Sequence, residues 1–592
     1  MLRHLVRSVL FAQPVQSSMA AVAPSARRLN TATTAEPSAK GISQTDRFLI
    51  YSDEEGYMKQ SPFDPVEPIN LTVDKYIWRD FKNYENEIAT VCIVSGRQYT
   101  YAQLRDHSAA LAVRLQTKFK LGLRDIAAVC LPNLPEYPIA VLGALEAGLS
   151  ITTINPIYTA EEISRQLEIS NSKFVVTTSI GYGAVKEACK LCQKDLPIAV
   201  IRFQANEELP SGAVDFFELI KPQGVDYAHL KVYDIDPNST AFLPFSSGTT
   251  GMPKGVQLSH NNLTINAEQL EVGLGLRLSG RQEVIPGILP FFHIYGLNVI
   301  MLSKLAMGCK LVTMPQFRPD DLCKALIDYK ATLLNVVPPI ALFMINYSKL
   351  TQELAPALTH VLIGAAPFAE SDIERFLKKF PKTKFLQGYG MTETSPLVIM
   401  VPANITSYAS AGVPTSNTEA KIVAMDCSSE KGLGPNTSGE LCVRGPQVML
   451  GYLNNDKANA EIFYSNGWLR TGDVAHYDDN GFFYITDRIK ELIKVKGFQV
   501  PPAELEAILR DHPKILEAAV IPKPDNFAGE LPRAIVVLRD GMQATEEEIY
   551  DYVADRVAEY KKLDGGIIFL KEVPKSPTGK ILRKELREKY SS

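Results

Sequence analysis

The 592-residue chain is longer than the roughly 250 to 300 residues at which single hydrophobic cores stop growing, so two or more domains are expected. Its 46% hydrophobic and 22% charged residues are close to globular averages, which excludes disorder over most of its length. The formal net charge is −4 and falls to about −8 without a basic leader, which disfavours nucleic acid as the main partner.

Residues 1–45 have the composition of a mitochondrial transit peptide. They hold five basic residues against one acidic residue, among many Ala, Ser and Thr residues. Apolar residues within 2–9 repeat at helical spacing with Arg3 and Arg7 beside them, which predicts the basic amphipathic face of an import signal. We therefore predict a mitochondrial protein of the matrix. The alternative is a cytoplasmic protein with an unstructured tail and an internal start at Met19.

Neither a membrane span nor a disulfide framework is predicted. The most apolar run, "NVIMLSKLAMG", carries Lys304 in its middle and is shorter than the roughly 18 residues of a span. The eight cysteines are scattered, as is typical of reduced thiols. Cys189 and Cys192 form one CxxC pair at i, i+3 spacing, which predicts core packing on one helix face rather than metal or redox chemistry.

From about Thr240 to Met400, apolar strand patterns alternate with helical patterns, as in "ATLLNVVPPIALFMIN" and "LTHVLIGAAPFAESDIERFLKKF". This alternation predicts parallel sheets covered by helices. Ligands of such sheets bind beyond the carboxyl ends of the strands, so we expect the chemistry to lie in the loops that follow the strands.

Two later regions have different patterns. From about Ser438 to Ile485, strand patterns and glycine-bearing turns dominate, as in "SGELCVRGPQVMLGY". After Asp487, "PPAELEAILRDH" and "ATEEEIYDYVADRVAEY" predict helices, and "EAAVIPK", "RAIVVL" and "GIIFLKEV" predict strands. We therefore predict an α/β fold. A large N-terminal domain of parallel sheets covered by helices, with a β-rich subdomain, precedes a small α+β domain of roughly 100 residues.

The segment "PFSSGTTGMPKG", residues 244–255, has the chemistry of a phosphate cradle. Glycines let the backbone approach an anion, hydroxyls and N–H groups donate to phosphate oxygens, and Lys254 supplies a positive charge. A Walker A loop is excluded because Pro253 and Gly255 break its pattern, and no GxSxG nucleophile motif is present. The alternative is a flexible surface loop. A preceding strand, "STAFLPF", and a following capped helix, "SHNNLTINAEQLEV", favour the positioned anion site.

The segment "SSGTTGMPKG" resembles the signature loop of the acyl-adenylate-forming superfamily. The resemblance continues through "GYGMTET", "GWLRTGD", "ITDRIKELIKVKGFQV" and "PKSPTGKILRKEL", in the family's order and over the chain from about Asp46. The sequence is most similar to 4-coumarate:CoA ligases, luciferases and related acyl-CoA synthetases. The resemblance implies that the chain joins a carboxylic acid to AMP with loss of pyrophosphate and then transfers the acyl group to coenzyme A.

The resemblance also implies the nucleotide site. Glu393 would hold Mg²⁺, which neutralises the triphosphate. Asp473 would accept both ribose hydroxyls, although "TGD" taken alone predicts a turn. The residues that the resemblance assigns to ATP or AMP are Ser246, Ser247, Gly248, Thr249, Thr250, Gly251, Lys254, Gly388, Tyr389, Gly390, Thr392, Asp473 and Arg488.

Three lysine and histidine positions are implied as catalytic. Lys580 would bridge the substrate carboxylate and the α-phosphate, where an anion approaches an anion and positive charge is needed most in the transition state. His293 would lie beside the acyl pocket and the thioester tunnel, although a lone histidine among aromatics is more often a packed core residue. Lys494 would serve the second reaction. The implied wall of the acyl pocket consists of His293, Tyr295, Gly364, Ala365 and Pro396.

Two reactions at one bound acyl group need different catalytic faces, and the resemblance implies that rotation of a mobile small domain exchanges them. The hinge would be Asp487 to Lys490. After rotation, the CoA-binding residues Lys496, Gly497, Phe498 and Gln499 would meet the tunnel. The alternative for this segment is a solvated charged strand.

These expectations give three segments: a leader over 1–45, an adenylation domain over 46–487 and a C-terminal domain over 488–592. The leading function is an ATP-dependent carboxylic acid:CoA ligase that uses Mg²⁺, and medium-chain fatty acids and aryl-propenoic acids both fit. The alternatives are a luciferase-like oxygenase of the adenylate and a catalytically silent scaffold of the same fold. Retention of Thr392, Glu393, Asp473 and Lys580 disfavours the scaffold.

Overall fold

The structure is a computed structural model that describes most of the chain after the predicted leader, which lies outside the described residues. The described ranges are 48–204, 206–246, 253–275, 282–403, 408–426, 429–464, 466–496, 498–576 and 579–591. Within them the chain is a mixed α/β protein with a large N-terminal part and a small C-terminal part, as the sequence predicts.

The largest sheet has nine strands, of which six consecutive ones run parallel and extend to one edge of the sheet. Its strands, in spatial order, are Phe245–Ser246, Lys254–Ser259, Thr240–Phe242, Ser150–Thr153, Ile126–Val129, Phe174–Thr178, Ile198–Ile201 and Val214–Asp215, and Gly451–Tyr452 pairs with Lys254–Ser259. The helix predicted after the phosphate loop is confirmed as His260–Leu274. Its N-cap, Ser259, accepts from the backbone N–H of Asn262, whose side chain accepts in return.

Two smaller sheets continue the parallel arrangement. A five-stranded sheet contains Leu333–Val336, His360–Ile363, Lys384–Gly390, Leu397–Met400 and Val413–Pro414, and its first three strands are parallel. A four-stranded sheet contains Val284–Gly287, Lys310–Thr313, Ile88–Cys92 and Gln98–Thr100, and its first three strands are parallel. The prediction of parallel strands between residues 240 and 400 is confirmed for these pairs. It is wrong for Lys254–Ser259 and Leu397–Met400, which pair antiparallel with their neighbours.

The predicted β-rich region forms an antiparallel six-stranded sheet. Its strands, in spatial order, are Leu49–Ser52, Gly56–Gln60, Glu419–Val423, Gly439–Arg444, Leu469–Tyr477 and Phe483–Arg488. One helix, Asp456–Ile462, interrupts the strand pattern.

The small C-terminal part has its own five-stranded sheet and its own apolar cluster. Its strands are Ile493–Val495, Phe498–Val500, Ile515–Asp525, Gly529–Leu538 and Ile567–Phe569. The helix predicted over "ATEEEIYDYVADRVAEY" is shorter than expected and ends at Ala554. Its buried residues, Ile549 and Val553, face the cluster, and Val557 packs against the same cluster beyond the helix end.

The helices cover the sheets or line the small domain. The α-helices are Val73–Trp78, Tyr101–Thr117, Tyr137–Glu146, Ala160–Ser170, Tyr182–Leu191, Phe216–Ile220, His260–Leu274, Ser303–Ala306, Pro319–Ile327, Pro338–Asn346, Glu370–Lys379, Asp456–Ile462, Pro502–Arg510, Glu546–Ala554 and Arg583–Tyr590. Tyr295–Leu302 is π-helical, and short 3₁₀ turns occur at Phe81–Asn83, Tyr227–His229, Thr392–Thr394, Ile489–Glu491 and Glu559–Lys561. None of the helices in the described part of the chain combines the length and apolarity that crossing a bilayer requires.

Candidate active site

A buried carboxylate marks the end of a parallel strand. Glu393 lies in the short turn that follows strand Lys384–Gly390, and only 4% of it is exposed. Its Oε1 accepts hydrogen bonds from Ser246 Oγ at 2.7 Å and from Tyr452 Oη at 2.8 Å. The predicted metal residue and the start of the predicted phosphate loop therefore meet at the carboxyl edge of the sheets.

Lys254 follows the phosphate loop and begins the strand that pairs with Phe245–Ser246. It pairs with Ser246 in antiparallel register, and its Nζ lies 4.8 Å from the centre of the Tyr452 ring. The predicted phosphate contacts between these two residues lie outside the described residues: Ser247, Gly248, Thr249, Thr250 and Gly251. The two ends of the loop, however, place a hydroxyl and an ammonium group beside Glu393.

The predicted ribose acceptor, Asp473, lies inside strand Leu469–Tyr477, so the turn interpretation of "TGD" is wrong. Gly472 has a φ of +72° but stays within the strand. Tyr389 Oη donates to Asp473 Oδ2 at 2.6 Å, and Arg488 Nε lies 3.2 Å from Oδ1. Each carboxylate oxygen keeps a second lone pair, so Asp473 is oriented and can still accept further hydrogen bonds.

The partners of Asp473 hold fixed protonation states. Burial and the Asp473 carboxylate raise the pKa of Tyr389 well above its ordinary value, so the phenol remains a donor. Burial alone would lower the pKa of Arg488, but the negative charges of Asp473 and Glu393 raise it. The guanidinium is therefore a permanent positive charge beside the ribose acceptor.

Lys580 reaches this cluster from the small domain. Its loop is closed by the Ser576 N–H, which donates to Lys580 O at 2.8 Å, and by the Lys580 N–H, which donates to Ser576 Oγ at 3.2 Å. Gly579 has a φ of +79°, and a Cβ there would lie 3.1 Å from Val337 Cγ2 and 3.3 Å from Pro339 Cδ. The loop needs glycine here, both for its left-handed backbone and for its close approach to the large domain.

The electrostatic surroundings of Lys580 are those of the nucleotide site. Burial and the positive charge of Arg488 lower the pKa of Lys580 to about 8, while the carboxylates of Asp473 and Glu393 act in the opposite direction. The structure thus brings the predicted catalytic lysine, ribose acceptor and metal residue into one cluster.

His293 borders the same cleft. Burial and the nearby Lys580 charge lower the pKa of His293 to about 3, so the imidazole is neutral at physiological pH. The Tyr295 N–H lies 3.3 Å from Nδ1 and donates to it, which leaves the ring hydrogen on Nε2. A cavity of about 70 Å³ lies between His293, Phe245 and Thr392. The histidine can therefore donate a hydrogen bond but carries no charge.

The residues predicted for the acyl wall lie together. Tyr295 Oη donates to Leu362 O at 2.9 Å, and its ring lies against Gly364, where a Cβ would be 3.4 Å from Tyr295 Cε1. A Cβ on Gly364 would also be 3.1 Å from Gly388 O, so any side chain would narrow the space above the sheet. Ala365, which follows, has a φ of +72°.

The remaining wall residue closes the cluster from the next strand. The backbone of Gly390 packs directly against Pro396. There is no room for a side chain at Gly390, since a Cβ there would lie 1.8 Å from Pro396 O. Pro396 precedes strand Leu397–Met400, which pairs with strand Lys384–Gly390. The predicted nucleotide residues Gly388 and Gly390 therefore also border the acyl side of the site.

The predicted CoA-binding face lies apart from this cleft. Lys494, Lys496, Phe498 and Gln499 are exposed, and Gly497 lies outside the described residues. Phe498 stacks on Tyr560 with ring centres 4.4 Å apart. Exposure alone does not test CoA binding, so the role of this face stays a prediction.

The predicted hinge joins the two parts. Asp487 Oδ2 accepts from the Ala503 N–H at 2.8 Å, in the first turn of the helix that follows the hinge, and burial raises the pKa of Asp487. Burial lowers the pKa of Lys490. Ile485 packs against the large apolar cluster and Ile493 belongs to the small one. The domain boundary after residue 487 and the hinge motion stay predictions.

Sequence reasoning missed several residues of the site. Tyr452 binds Glu393 from 59 positions away, and no local motif marks it. Val337 and Pro339 receive the Lys580 loop. The sequence around "NVVPP" gave no sign that a glycine of another domain packs there.

The comparisons with known proteins agree with this geometry. Residues 77–453 match the model of the AMP-binding enzyme family, and residues 504–580 match that of the AMP-binding enzyme C-terminal domain. The chain is 37% identical over 550 residues to 4-coumarate–CoA ligase 3 of Oryza sativa subsp. japonica, covering 91% of this chain and 96% of the relative. It is 36% identical over 534 residues to 4-coumarate–CoA ligase 1 of Arabidopsis thaliana, covering 89% and 94%.

Solved structures of similar fold include one with bound ATP and one with a bound acyl-adenylate. ATP-bound MatB from Rhodopseudomonas palustris has a TM-score of 0.79 and 24% identity, covering 88% of this chain and 99% of that one. The o-succinylbenzoate CoA synthetase of Bacillus subtilis, in complex with its acyl-adenylate, has a TM-score of 0.74 and 28% identity, covering 87% and 98%. These similarities support the division into a large N-terminal and a small C-terminal domain.

Proposed function

The chain belongs to the AMP-binding enzyme family and is an ATP-dependent, AMP-forming acid–CoA ligase, and we propose that its acid is an aryl-propenoic acid of the 4-coumarate type. The observation that carries the proposal is the close packing of Tyr295 on Gly364, which leaves backbone rather than a side chain against the acyl space. A flat conjugated acid fits such a surface. Relatives that align over about nine-tenths of this chain bear the name 4-coumarate–CoA ligase.

The first reaction is limited by repulsion between the acid carboxylate and the α-phosphate. Lys580, Arg488 and Lys254 bring positive charge to the cleft, and Lys580 is the one presented by the small domain. Charge placed beforehand where it is needed in the transition state lowers the barrier without reorganisation. Asp473 holds the ribose, so that the α-phosphate lies beside Lys580.

The magnesium ion that such a reaction uses would be held by Glu393. Its Oε1 already accepts two hydrogen bonds, which orients the carboxylate. No group of three or more His, Cys, Asp or Glu side chains suited to a metal occurs among the described residues, and Mg²⁺ commonly takes one carboxylate together with substrate phosphates. The bound ion would neutralise phosphate charge.

In the second reaction the thiol of CoA attacks the acyl-adenylate. The neutral His293, with its hydrogen on Nε2, is suited to donate a hydrogen bond beside the incoming thiol. We propose that the small domain first turns away from the adenylation arrangement and then presents Lys494 and the residues near it.

The function is tested by offering purified protein a panel of acids graded in chain length and ring content, with ATP, magnesium and CoA. Aryl-propenoic acids should give the highest kcat/KM for thioester formation and should support pyrophosphate exchange into ATP. A preference for medium-chain fatty acids would overturn the choice of acid. Absence of exchange with every acid in folded protein would favour the silent scaffold, and Glu393→Gln serves as the matched inactive control.

We further propose that residues 1–45 direct the protein to mitochondria. Their basic and amphipathic composition supports this proposal. Isolated mitochondria should take up the full-length chain into a protease-protected form and leave the chain lacking residues 1–45 outside. Equal uptake of both chains would contradict the proposal.

A further inference from the structure

A buried amide lies next to the acyl wall without hydrogen-bond partners. Asn335 in strand Leu333–Val336 is 0% exposed, and neither its Nδ2 nor its Oδ1 has a partner among the described residues. It is the one buried side chain in the described ranges with two such atoms. Its strand neighbours, Leu334 and Val336, are fully buried and apolar.

An unpartnered buried amide destabilises a folded protein, because its hydrogen bonds to water are lost and not replaced. Nearly all buried polar groups in proteins have partners, so each exception needs an explanation. A bound substrate group that both donates and accepts hydrogen bonds would explain this exception, because it would pair with both atoms of the amide.

The register of the sheet places Asn335 on the acyl face. Asn335 pairs with Leu362 in the parallel pair of strands, so their side chains point to the same face. Gly364 follows Leu362 by two residues and shares that face, and the Tyr295 ring lies against Gly364. Asn335 therefore lies one strand over and two residues below Gly364, about 8 Å from it by ordinary strand spacings.

The strand also sets the direction of the acid. Its carboxyl end leads to Val337, against which the Lys580 loop packs at Gly579. The reacting carboxylate must lie near Lys580 at this edge. An acid placed in this way would extend along the face below the edge, away from Lys580 and toward Asn335.

We propose that Asn335 hydrogen-bonds a hydroxyl group at the far end of the acid and so selects hydroxyl-bearing acids over their unsubstituted counterparts. The inference rests on the proposed function and narrows it. A hydroxyl can accept from Nδ2 and donate to Oδ1. An unsubstituted ring or alkyl end leaves both atoms unpaired, and sites built for a hydroxyl discriminate strongly against the analogue that lacks it.

The test compares matched acids: 4-hydroxycinnamic with cinnamic acid, and 8-hydroxyoctanoic with octanoic acid. The wild-type enzyme should favour the hydroxylated member by about 10-fold to 100-fold in kcat/KM for thioester formation. Asn335→Leu should bring the ratio to one or below, chiefly by raising KM for the hydroxylated acid. A wild-type ratio near one in every active pair overturns the inference, and so does a ratio that Asn335→Leu leaves unchanged.

Two controls separate selection from folding. Leu334→Met alters a buried neighbour whose side chain points to the opposite face of the sheet, and it should keep the wild-type ratio. The Tm of Asn335→Leu should equal or exceed that of the wild type, because an unpaired buried amide is removed. Independently of turnover, the wild type should bind the sulfamoyl adenylate of 4-hydroxycinnamic acid about 10-fold to 100-fold more tightly than that of cinnamic acid. Equal binding contradicts the inference.

The outcomes also separate this inference from the proposed function. If only the octanoic pair is active and the hydroxylated member is preferred, the proposal of an aryl-propenoic acid is overturned and the role of Asn335 is kept. If the aryl pair is active without a preference for the hydroxylated member, the aryl-propenoic acid is kept and the role of Asn335 is overturned.

Discussion

The small domain presents lysines to two very different surroundings. Lys580 lies in the cleft, where burial and Arg488 lower its pKa to about 8. Lys494 and Lys496 lie on a strand and turn that face solvent, and the Lys496 Nζ is 5.6 Å from the centre of the exposed Phe527 ring. One domain thus has one lysine engaged with the nucleotide site and others far less constrained.

This difference between the lysines indicates that the observed position of the small domain serves the adenylation reaction. The structure groups Glu393, Asp473, Arg488 and Lys580, the residues that we assign to adenylation. We propose that the Lys494 face reaches the same acyl group after a movement of the small domain.

The largest effect is expected from Lys580→Ala. It removes the charge placed at the α-phosphate and should lower pyrophosphate exchange by about 10²-fold to 10³-fold, a magnitude typical of losing one stabilising group. Thioester formation from supplied acyl-AMP should change little. Lys575→Ala is the matched control, because Lys575 pairs with Glu517 at 2.6 Å outside the cleft. Equal loss of both half-reactions would contradict the division between the two faces.

Gly579→Ala should weaken adenylation without removing any charge. Alanine at a φ of +79° costs about 1 to 2 kcal/mol, and its Cβ would press on Val337 and Pro339. We expect exchange to fall about 10-fold to 30-fold, at about 1.4 kcal/mol per factor of ten. Gly541→Ala has a similar φ of +76° with no atom within 4 Å, so it should lower stability slightly and leave exchange unchanged. Similar exchange in the two variants would show that the Lys580 loop need not dock.

The two half-reactions should respond oppositely to pH. Lys580 has a pKa of about 8, so it loses its charge as the pH rises through 8, and kcat/KM for adenylation at pH 9 should be about 10-fold below its plateau. Thioester formation from acyl-AMP should rise over the same range, because the thiolate is the nucleophile. An adenylation rate that is flat from pH 7 to 9.5 would contradict the role of Lys580.

The smallest effect is expected at the hinge. Asp487→Ala removes the hydrogen bond to the Ala503 N–H, a contact of the helix-capping kind that is worth about 1 kcal/mol. The adenylation arrangement should lose about fivefold in population, and exchange should fall by a similar factor. Arg510→Ala, at the other end of the same helix, is the comparison. An unchanged exchange rate in Asp487→Ala would mean that this contact does not hold the arrangement.

Local patterns predicted most of the fold. Ser259 capped the expected helix because a capping box is written within four residues. Local patterns were less informative where pairing with another strand matters. The segment "TGD" taken alone suits a turn, but Asp473 pairs with Arg488 of the neighbouring strand. The helix that begins at Glu546 is shorter than its pattern predicts and ends at Ala554.

Site residues within a local sequence motif could be predicted, whereas residues whose role depends on the pairing of distant strands could not. Lys580 and Glu393 were assigned from the segments that resemble the family. Tyr452 and Asn335 carried no signal, because their importance comes from contacts with distant segments. Asn335 becomes notable only once its strand is paired with that of Leu362.

The most direct test locks the small domain in the arrangement described above. Ser371 Oγ and Asp511 Oδ1, on the large and small domains, lie 3.5 Å apart, so Ser371→Cys with Asp511→Cys offers a disulfide across the cleft. The oxidised double variant should keep pyrophosphate exchange and lose thioester formation, and reduction should restore it, while each single variant keeps both activities. Thioester formation at the wild-type rate by the fully cross-linked enzyme would contradict the claim that two faces act in turn.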